Sequence, residues 1–173
     1  MKKMFALTST GFQDGLIHGR YGQNSEHVSR GVPQLSFPLS WQNPPAGTKS
    51  YALVFQDFDN IPDEGFAWLH WLVCDIPAEA TSLAENASRL NRDLIQGRNS
   101  WICPYGNYGL DESLTDYYGG PAPERDHEYE VSLYALDTLL GLSKGFYYND
   151  LRRAMAGHIL AEAVLKGVYK ARA

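Results

Sequence analysis

The sequence has little cysteine, no long apolar run and no excess of basic charge. Two of the 173 residues are cysteine, with Cys74 in an apolar stretch and Cys103 among turn residues. Thiols in such different surroundings indicate reduced cysteines rather than a disulfide. No apolar run approaches the roughly 18 residues that cross a bilayer, and no signal-peptide pattern opens the chain. We therefore expect a cytoplasmic protein with no transmembrane segment.

The charge balance is acidic. Lysine and arginine number 15 against 20 acidic residues, giving a net charge of −5. A nucleic-acid-binding domain would show a basic stripe, so we expect no nucleic-acid partner. The length suits one domain that buries about two thirds of its unfolded surface. Because there is no repeat, low-complexity tract or linker, we expect a single domain over residues 1–173.

Several catalytic and metal-binding patterns are also missing. The chain has no Gly-x-Ser-x-Gly elbow, no His-x-His and no His-Glu-x-x-His. Ser100 and Cys103 are nucleophile candidates, but they fall in a loop of uncertain position. The sequence therefore predicts no catalytic residue, no metal and no cofactor.

Two apolar stretches predict buried strands. From residue 51 the side chains alternate, which places Tyr51, Leu53, Phe55 and then Asp57 on one face. Residues 68–73 are apolar on both faces, as in a strand that is covered on both sides, and His70 is the one strongly polar residue there.

A third strand is predicted over residues 127–136. His127, Tyr129, Val131 and Leu133 share one face, and the acids Glu128 and Glu130 lie on the other. The face that points inward therefore begins with a histidine and a tyrosine.

Asp57, His70, His127 and Tyr129 are each expected at the inner end of a strand, where an antiparallel sandwich would bring them together. The simpler alternative is that each is a hydrogen-bonded polar residue of the core. Together they suit a small oxyanion such as phosphate, because imidazoles titrating near neutrality and a phenol donate hydrogen bonds while Asp57 orients a histidine. Trp68 either walls this site or belongs to the core.

The remaining segments give weaker signals. Residues 32–45 hold four prolines in an alternating apolar set, typical of an edge strand. Residues 78–97 favour a short helix or loop, and residues 98–126 a long loop rich in Gly, Tyr and Pro. Asn149 caps a predicted helix over residues 150–165, Gly167 ends it, and residues 168–169 add a short terminal strand.

Several motifs resemble the phosphatidylethanolamine-binding protein family, in its bacterial Raf-kinase-inhibitor-like branch (YbhB/YbcL type). The Pro-x-Gly-Thr-x-Ser-x-Ala-Leu pattern is present at residues 45–53. Asp57-Phe58-Asp59 followed by His70-Trp71 and Ile76-Pro77 is similar to the first family signature. Gly120-Pro121 with His127-Glu128-Tyr129 and the Tyr-Ala-Leu-Asp of residues 134–137 is similar to the second. The resemblance covers about residues 35–170.

The resemblance implies a mainly β fold, a large antiparallel β-sandwich with a C-terminal α-helix and long Gly/Pro/Tyr-rich loops. It also implies an anion pocket at one end of the sandwich. Asp57, His70, His127 and Tyr129 match pocket positions, Gly120 would offer its backbone, and Tyr169 would line the opening. Phe58, Asn60 and Ile61 depart from the signature and predict a different rim.

The sequence therefore predicts a protein that binds phosphate, a phosphorylated headgroup or a carboxylate and that regulates a partner protein. Because bacterial members of this family can pair, the resemblance also implies that the chain can form a homodimer. One alternative is a hydrolase that uses the His/Asp cluster, with or without a metal ion. Another is a protein-interaction module whose pocket has no ligand.

Overall fold

The computed structural model describes residues 3–105 and 108–172, and most of its regular structure is strand. The strands are β1 (Ala6–Thr8), β2 (Phe12–Gln13), β3 (Leu16–Ile17), β4 (Val28–Ser29), β5 (Val32–Pro33), β6 (Leu39–Gln42), β7 (Ser50–Asp57), β8 (Trp68–Pro77), β9 (Ser82–Leu83), β10 (Ile95–Gln96), β11 (His127–Leu136) and β12 (Ile159–Tyr169). The helices are α1 (Ile61–Glu64), α2 (Ala87–Leu90), α3 (Glu112–Thr115) and α4 (Tyr148–Met155), with 3-10 turns at Gly19–Tyr21 and Ser100–Ile102.

Seven strands form the main sheet, in the order β10-β8-β7-β11-β12-β3-β2. Its pairings are antiparallel except for the parallel contact of β12 with β3. A three-stranded sheet, β1-β6-β9, packs over one face, and β4 pairs with β5. The prediction of a mainly β sandwich is confirmed, with one parallel pair in the main sheet.

Strands β7 and β8 of the main sheet are buried on both faces, as their apolar sequences predict. Tyr51, Leu53 and Phe55 point into the larger core, which β6 and β9 close from the opposite side. Ala52 and Val54 point the other way, into a smaller core covered by α4 and the segment that precedes it. The predicted alternation of β7 is therefore confirmed.

A bulge changes the alternation predicted for β8. Strict period two would place Trp71 on the face opposite His70. The register between β7 and β8 shifts after Phe55, and Trp71 lies in the larger core while Leu72 lies in the smaller one. The ring of His70 lies 5.0 Å from that of Phe55, so His70 and Trp71 share the inner side. The extra residue keeps both aromatic groups at the core.

The predicted helix over residues 150–165 is wrong in its second half. Helix α4 ends at Met155, and Gly157 has a φ of 81°, a left-handed conformation that stops the helix. The chain then enters β12, eleven residues paired with β11 along its whole length. Gly167 therefore lies within a strand and does not end a helix, and the predicted two-residue terminal strand is the end of β12.

Residues 78–97 and the described parts of residues 98–126 contain short regular elements. Residues 78–97 contain β9, α2 and β10. In the loop of residues 98–126, Ser100 Oγ accepts a hydrogen bond from the backbone amide of Leu69 at 2.8 Å. This bond attaches the loop to β8. Cys74 and Cys103 are both free thiols. Over residues 3–105 and 108–172, no helix is both long and apolar enough to cross a membrane.

Candidate functional site

The polar residues at the strand ends meet because of the sheet register. Asp57 lies directly opposite Trp68 on β8 and opposite Tyr129 on β11. His127 begins β11 two residues before Tyr129, on the same face. Three neighbouring strands thus deliver their polar side chains to one edge of the main sheet.

These side chains line a cavity of about 300 Å³, which we call the end cavity. Asp57, His70, His127 and Tyr129 are all at most 3% exposed. The wall is completed by Trp68 and by residues from two connections, β7–β8 and β10–β11, namely Asn60, Asp63, Glu64, Trp101, Tyr108, Ala122, Pro123 and Glu124. Of the two roles left open for Trp68, the structure places it in the cavity wall.

His127 is held between two carboxylates. Its Nδ1 lies 2.7 Å from Asp57 Oδ2, and its Nε2 lies 3.1 Å from Asp63 Oδ2. A carboxylate only accepts hydrogen bonds when ionised, so both contacts are hydrogen bonds when both ring nitrogens carry protons. Asp63 also pairs with Arg125 at 3.1 Å, while the other oxygen of Asp57 accepts from the amide of Asn60.

His70 has a different environment. Its Nδ1 lies 2.6 Å from the carbonyl oxygen of Gly119, and no protein group bonds to its buried Nε2. Burial lowers the pKa of His70 to about 4, an effect that the nearby Asp57 carboxylate only partly opposes. The expectation that two imidazoles titrate near neutrality is therefore wrong for His70, because removal from water disfavours its charged form.

Tyr129 stays a neutral phenol. Burial chiefly, and the Asp57 carboxylate second, raise the pKa of Tyr129 well above its usual range. Its ring packs 5.3 Å from that of His70 and 5.7 Å from that of Phe55. The side chain of Tyr129 therefore contacts both the end cavity and the larger core.

The opposite half of the end cavity is aromatic and acidic. Trp68, Trp101 and Tyr108 contact one another in edge-to-face geometry, with ring centroids 4.8 to 5.5 Å apart. The hydroxyl of Tyr108 donates to Glu64 Oε1 at 2.7 Å, and Glu124 adds a further carboxylate. Aromatic faces beside carboxylates favour positive charge.

Three residues that line the end cavity carry a buried nitrogen without a partner. In the described part of the chain, seven buried side-chain nitrogens make no hydrogen bond to protein. Three of the seven, His70 Nε2, Trp68 Nε1 and Trp101 Nε1, belong to residues that line this one cavity. Such groups are rare in native proteins, and each calls for an explanation.

Two residues expected at the site lie outside the cavity wall. The amide of Gly120 donates to the carbonyl oxygen of Pro33 at 2.8 Å, so the amide points away from the cavity. The backbone of Gly119, and to a smaller degree that of Gly120, acts on His70. Tyr169 lies opposite His127 in the sheet, but its hydroxyl donates to Gly19 at 2.8 Å. It borders a second cavity of about 350 Å³ beside β3.

The loop residues of the end cavity escaped the sequence analysis. Asp63 and Glu64 belong to α1, a single turn whose start is marked by the proline at position 62. Trp101 and Tyr108 come from the loop of residues 98–126, where the abundance of aromatic residues was the one available signal. In residues 3–105 and 108–172, no group of three or more His, Cys, Asp or Glu side chains is arranged to hold a metal ion.

Comparison with known proteins identifies the family. The family profile described as phosphatidylethanolamine-binding protein matches residues 8–170. The chain belongs to the phosphatidylethanolamine-binding protein family. It is 39% identical over 153 residues to protein YxkA of Bacillus subtilis, covering 87% of this chain and 91% of that one. It is 37% identical over 168 residues to a UPF0098 protein of Methanothermobacter thermautotrophicus, covering 95% and 97%.

Solved structures support the same membership in the phosphatidylethanolamine-binding protein family. The family homologue CT736 from Chlamydia trachomatis superposes with a TM-score of 0.73 at 31% identity, covering 97% of this chain and 98% of that one. Escherichia coli YbcL gives a TM-score of 0.72 at 24% identity, covering 97% and 99%, and this likeness concerns the fold alone.

Proposed function

We propose that this chain binds a small phosphorylated or carboxylate ligand in the end cavity. The observation that carries the proposal is the set of three unpartnered nitrogens, His70 Nε2, Trp68 Nε1 and Trp101 Nε1. A buried polar group without a hydrogen bond costs about 1–3 kcal/mol, so three of them in residues that line one cavity destabilise the fold. A bound ligand that brings oxygen atoms within reach of these residues would supply hydrogen-bond partners that the protein does not.

The acidic and aromatic half favours a ligand that also carries a positive group. Glu64 and Glu124 would pair with an ammonium, and the faces of Trp68, Trp101 and Tyr108 would surround it. The family name refers to phosphatidylethanolamine, whose headgroup joins a phosphate to an ammonium. We therefore expect phosphorylethanolamine to bind more tightly than methyl phosphate, and Glu64→Gln to reduce that difference.

The test follows the indole N–H signals of the four tryptophans by NMR during a phosphate titration. Trp68 and Trp101 should shift, because their N–H groups gain an acceptor. Trp71 should not, since its Nε1 already donates to Gln96 at 2.7 Å. Trp41 serves as the matched control, because its buried Nε1 is equally unpartnered but lies away from the end cavity. Unchanged Trp68 and Trp101 signals at about 10 mM phosphate, a weak-binding range, would refute the proposal.

A pair of variants makes the same comparison by affinity. Trp68→Phe keeps an aromatic ring and removes the N–H, so phosphate affinity should fall about tenfold, the value of one hydrogen bond to a charged group. Trp41→Phe makes the same chemical change in the core and should leave the affinity unaltered. Equal losses in both variants would show a general effect of stability instead of a ligand contact.

Other parts of the sequence-based expectation stay predictions. These are the cytoplasmic location, the regulation of a protein partner, the homodimer and the two alternative functions. Turnover of a phosphate or ester substrate that is lost in His127→Ala would favour the hydrolase. Partner binding that persists in His70→Ala and His127→Ala would favour the interaction module.

A further inference from the structure

Strand β12 has one edge that is almost unpaired. One side of the strand pairs with β11 from Ile159 to Tyr169. In the described part of the chain, its outer side pairs only at Val168, with β3. The end strands of the main and three-stranded sheets, β1, β2, β9 and β10, are two or three residues long. Natural proteins keep open edges short because a long one pairs with other chains, so the outer edge of β12 indicates a partner.

The pairing at Val168 shows which backbone groups face the open side. The amide of Val168 donates to the carbonyl oxygen of Gly15 at 2.8 Å, so it points away from β11. Backbone groups of a strand change sides at every residue, and the register with β11 stays regular over this part of β12. Glu162, Val164 and Lys166 therefore also present their N–H and C=O groups to the open side.

The side chains of the same three residues are an acid, an apolar group and a base. Val164 is 44% exposed, and the side chain of Lys166 is 53% exposed. Lys166 contacts Glu128 and Glu130 on β11, whereas the exposed Glu162 forms no salt bridge with the described residues. The open edge thus carries opposite charges at equal distances on either side of an exposed valine.

We propose that this edge binds the same edge of a second copy of the chain, antiparallel and centred on Val164. A two-fold axis at this residue places Glu162 of each copy opposite Lys166 of the other. Opposite charges that face each other across an antiparallel pair attract. Each of the three outward residues then exchanges two backbone hydrogen bonds with its counterpart, and the main sheet continues from one copy into the other. This contact does not depend on the proposed ligand.

Other registers lose the charge pairing. Centring the contact on Glu162 places like charges opposite each other, which is destabilising. Centring it on Ala163 places Glu162 opposite Val164 and leaves both charges without a direct partner. The sequence of the edge therefore favours the register centred on Val164.

The length of the open edge fits the same register. Leu160 would face Val168 of the other copy, whose amide is already bonded to β3. The pairing of β12 with β11 shifts between residues 161 and 159, a bulge that bends the strand at this point. The contact therefore spans residues 162–166 and ends where β3 of the other copy begins.

Sedimentation equilibrium from about 10 μM to about 1 mM measures the association, a range that suits a small interface. Wild type should change from monomer to dimer. Glu162→Lys and Lys166→Glu should each weaken the dimer at least about tenfold, because two attractive pairs become repulsive. Glu79→Lys makes the same charge change at an exposed position in the β8–β9 connection and should leave association unaltered. A wild-type monomer throughout this range, or a dimer that tolerates both reversals, would overturn the inference.

Mixing the two reversed variants tests the register itself. Glu162→Lys has lysine at both charged positions and Lys166→Glu has glutamate at both, so a mixed pair restores every contact between opposite charges. We expect the mixture to form a heterodimer with about wild-type affinity, while each variant alone stays monomeric. A mixture that remains monomeric would contradict the register centred on Val164.

Hydrogen exchange identifies the edge without any substitution. The amides of Glu162, Val164 and Lys166 should exchange quickly in dilute protein and more slowly as the concentration rises, because they gain acceptors. The amides of Ala163 and Leu165 face β11 and should not change. Protection that appears only when an extended peptide of unrelated sequence is added would assign the edge to another partner and refute the proposal.

Discussion

The side chain of Asp63 contacts Nε2 of His127, one of the groups that the proposed anionic ligand would approach. Its carboxylate lies 3.1 Å from His127 Nε2 and 3.1 Å from the guanidinium of Arg125. Asp63 is 43% exposed, so its carboxylate has room to move toward Arg125 and water. We therefore expect the carboxylate to compete with an anionic ligand for the imidazole.

Replacing Asp63 with asparagine should strengthen phosphate binding. The change removes a competing anion and a repulsive charge, together on the order of 1 kcal/mol near the surface, or about fivefold in affinity. Calorimetry with inorganic phosphate measures this directly. Asp93→Asn makes the same charge change at an exposed position outside the end cavity and should alter affinity little. Weaker binding in Asp63→Asn would mean that Asp63 helps to form the site.

His70 should make the protein less stable in mild acid. Its folded-state pKa of about 4 lies below the unfolded value of about 6.5, so the unfolded chain binds more protons between these values. The stabilisation due to neutral His70 is complete above pH 6.5 and declines as the pH falls toward 4. From pH 7 to pH 5 the loss is about 2 kcal/mol.

Denaturant unfolding of wild type and His70→Asn at pH 7 and pH 5 checks this expectation. The variant lacks the titrating ring, so its stability should fall by about 2 kcal/mol less than that of the wild type over this interval. Comparing the same protein at two pH values cancels any constant packing loss in the variant. Parallel declines would contradict a buried neutral imidazole.

At the scale of single residues, the sequence predicted those members of the end cavity that lie in strands. Alternation along β7 and β11 was enough to place Asp57, His127 and Tyr129 on one inner face. Asp63 and Tyr108 lie in irregular segments, where no period relates a residue to a face. Their positions depend on tertiary contacts, such as the hydrogen bond from Tyr108 to Glu64.

At the scale of elements, a buried polar network attaches the loop of Gly119 to the core. Ser88 Oγ accepts from the amide of Tyr118 at 2.8 Å and donates to Gln96 Oε1 at 2.7 Å. The same oxygen of Gln96 accepts from Trp71 Nε1 at 2.7 Å. Helix α2, β10 and β8 are thus joined immediately beside the carbonyl that orients His70.

Removing the hydroxyl of Ser88 should destabilise the fold. Ser88→Ala leaves the buried amide of Tyr118 without its acceptor, at a cost of about 1–3 kcal/mol in the free energy of unfolding. Denaturant melts measure the change, and the exposed Ser82→Ala should shift it by less than about 0.5 kcal/mol. An equally small change for Ser88→Ala would show that the loop does not depend on this contact.

The C-terminal segment shows why local pattern left one element ambiguous. Leu151, Met155 and Ile159 recur every four residues, as on a helix, and this spacing led to the predicted helix. Ala161, Ala163 and Leu165 alternate equally well, and they form part of β12. Pairing with β11 decides between the two patterns, and that pairing joins residues far apart in sequence. The bulge in β8 could not be predicted from the sequence either, because it too depends on strand pairing.

At the scale of the whole molecule, strands β7 and β8 of the main sheet are covered on both faces. Cys74 on β8 is 1% exposed and lies beneath Phe146, Leu151 and Met155 in the smaller core. Burial raises the pKa of the Cys74 thiol to about 12, which suppresses the reactive thiolate. Cys103 is partly exposed in a loop. The two thiols should therefore differ in how readily they react in the folded protein.

In the native protein, a thiol reagent should modify Cys103 quickly and Cys74 only after unfolding. For a stability of 5 kcal/mol or more, labelling of Cys74 should be at least about 10³-fold slower than in the unfolded chain. The Cys103→Ser variant isolates this slow reaction. Its rate should rise with denaturant along the slope of global unfolding, because the sheet must separate from its cover. A rate that is insensitive to low denaturant would show that α4 detaches locally while the sandwich stays folded.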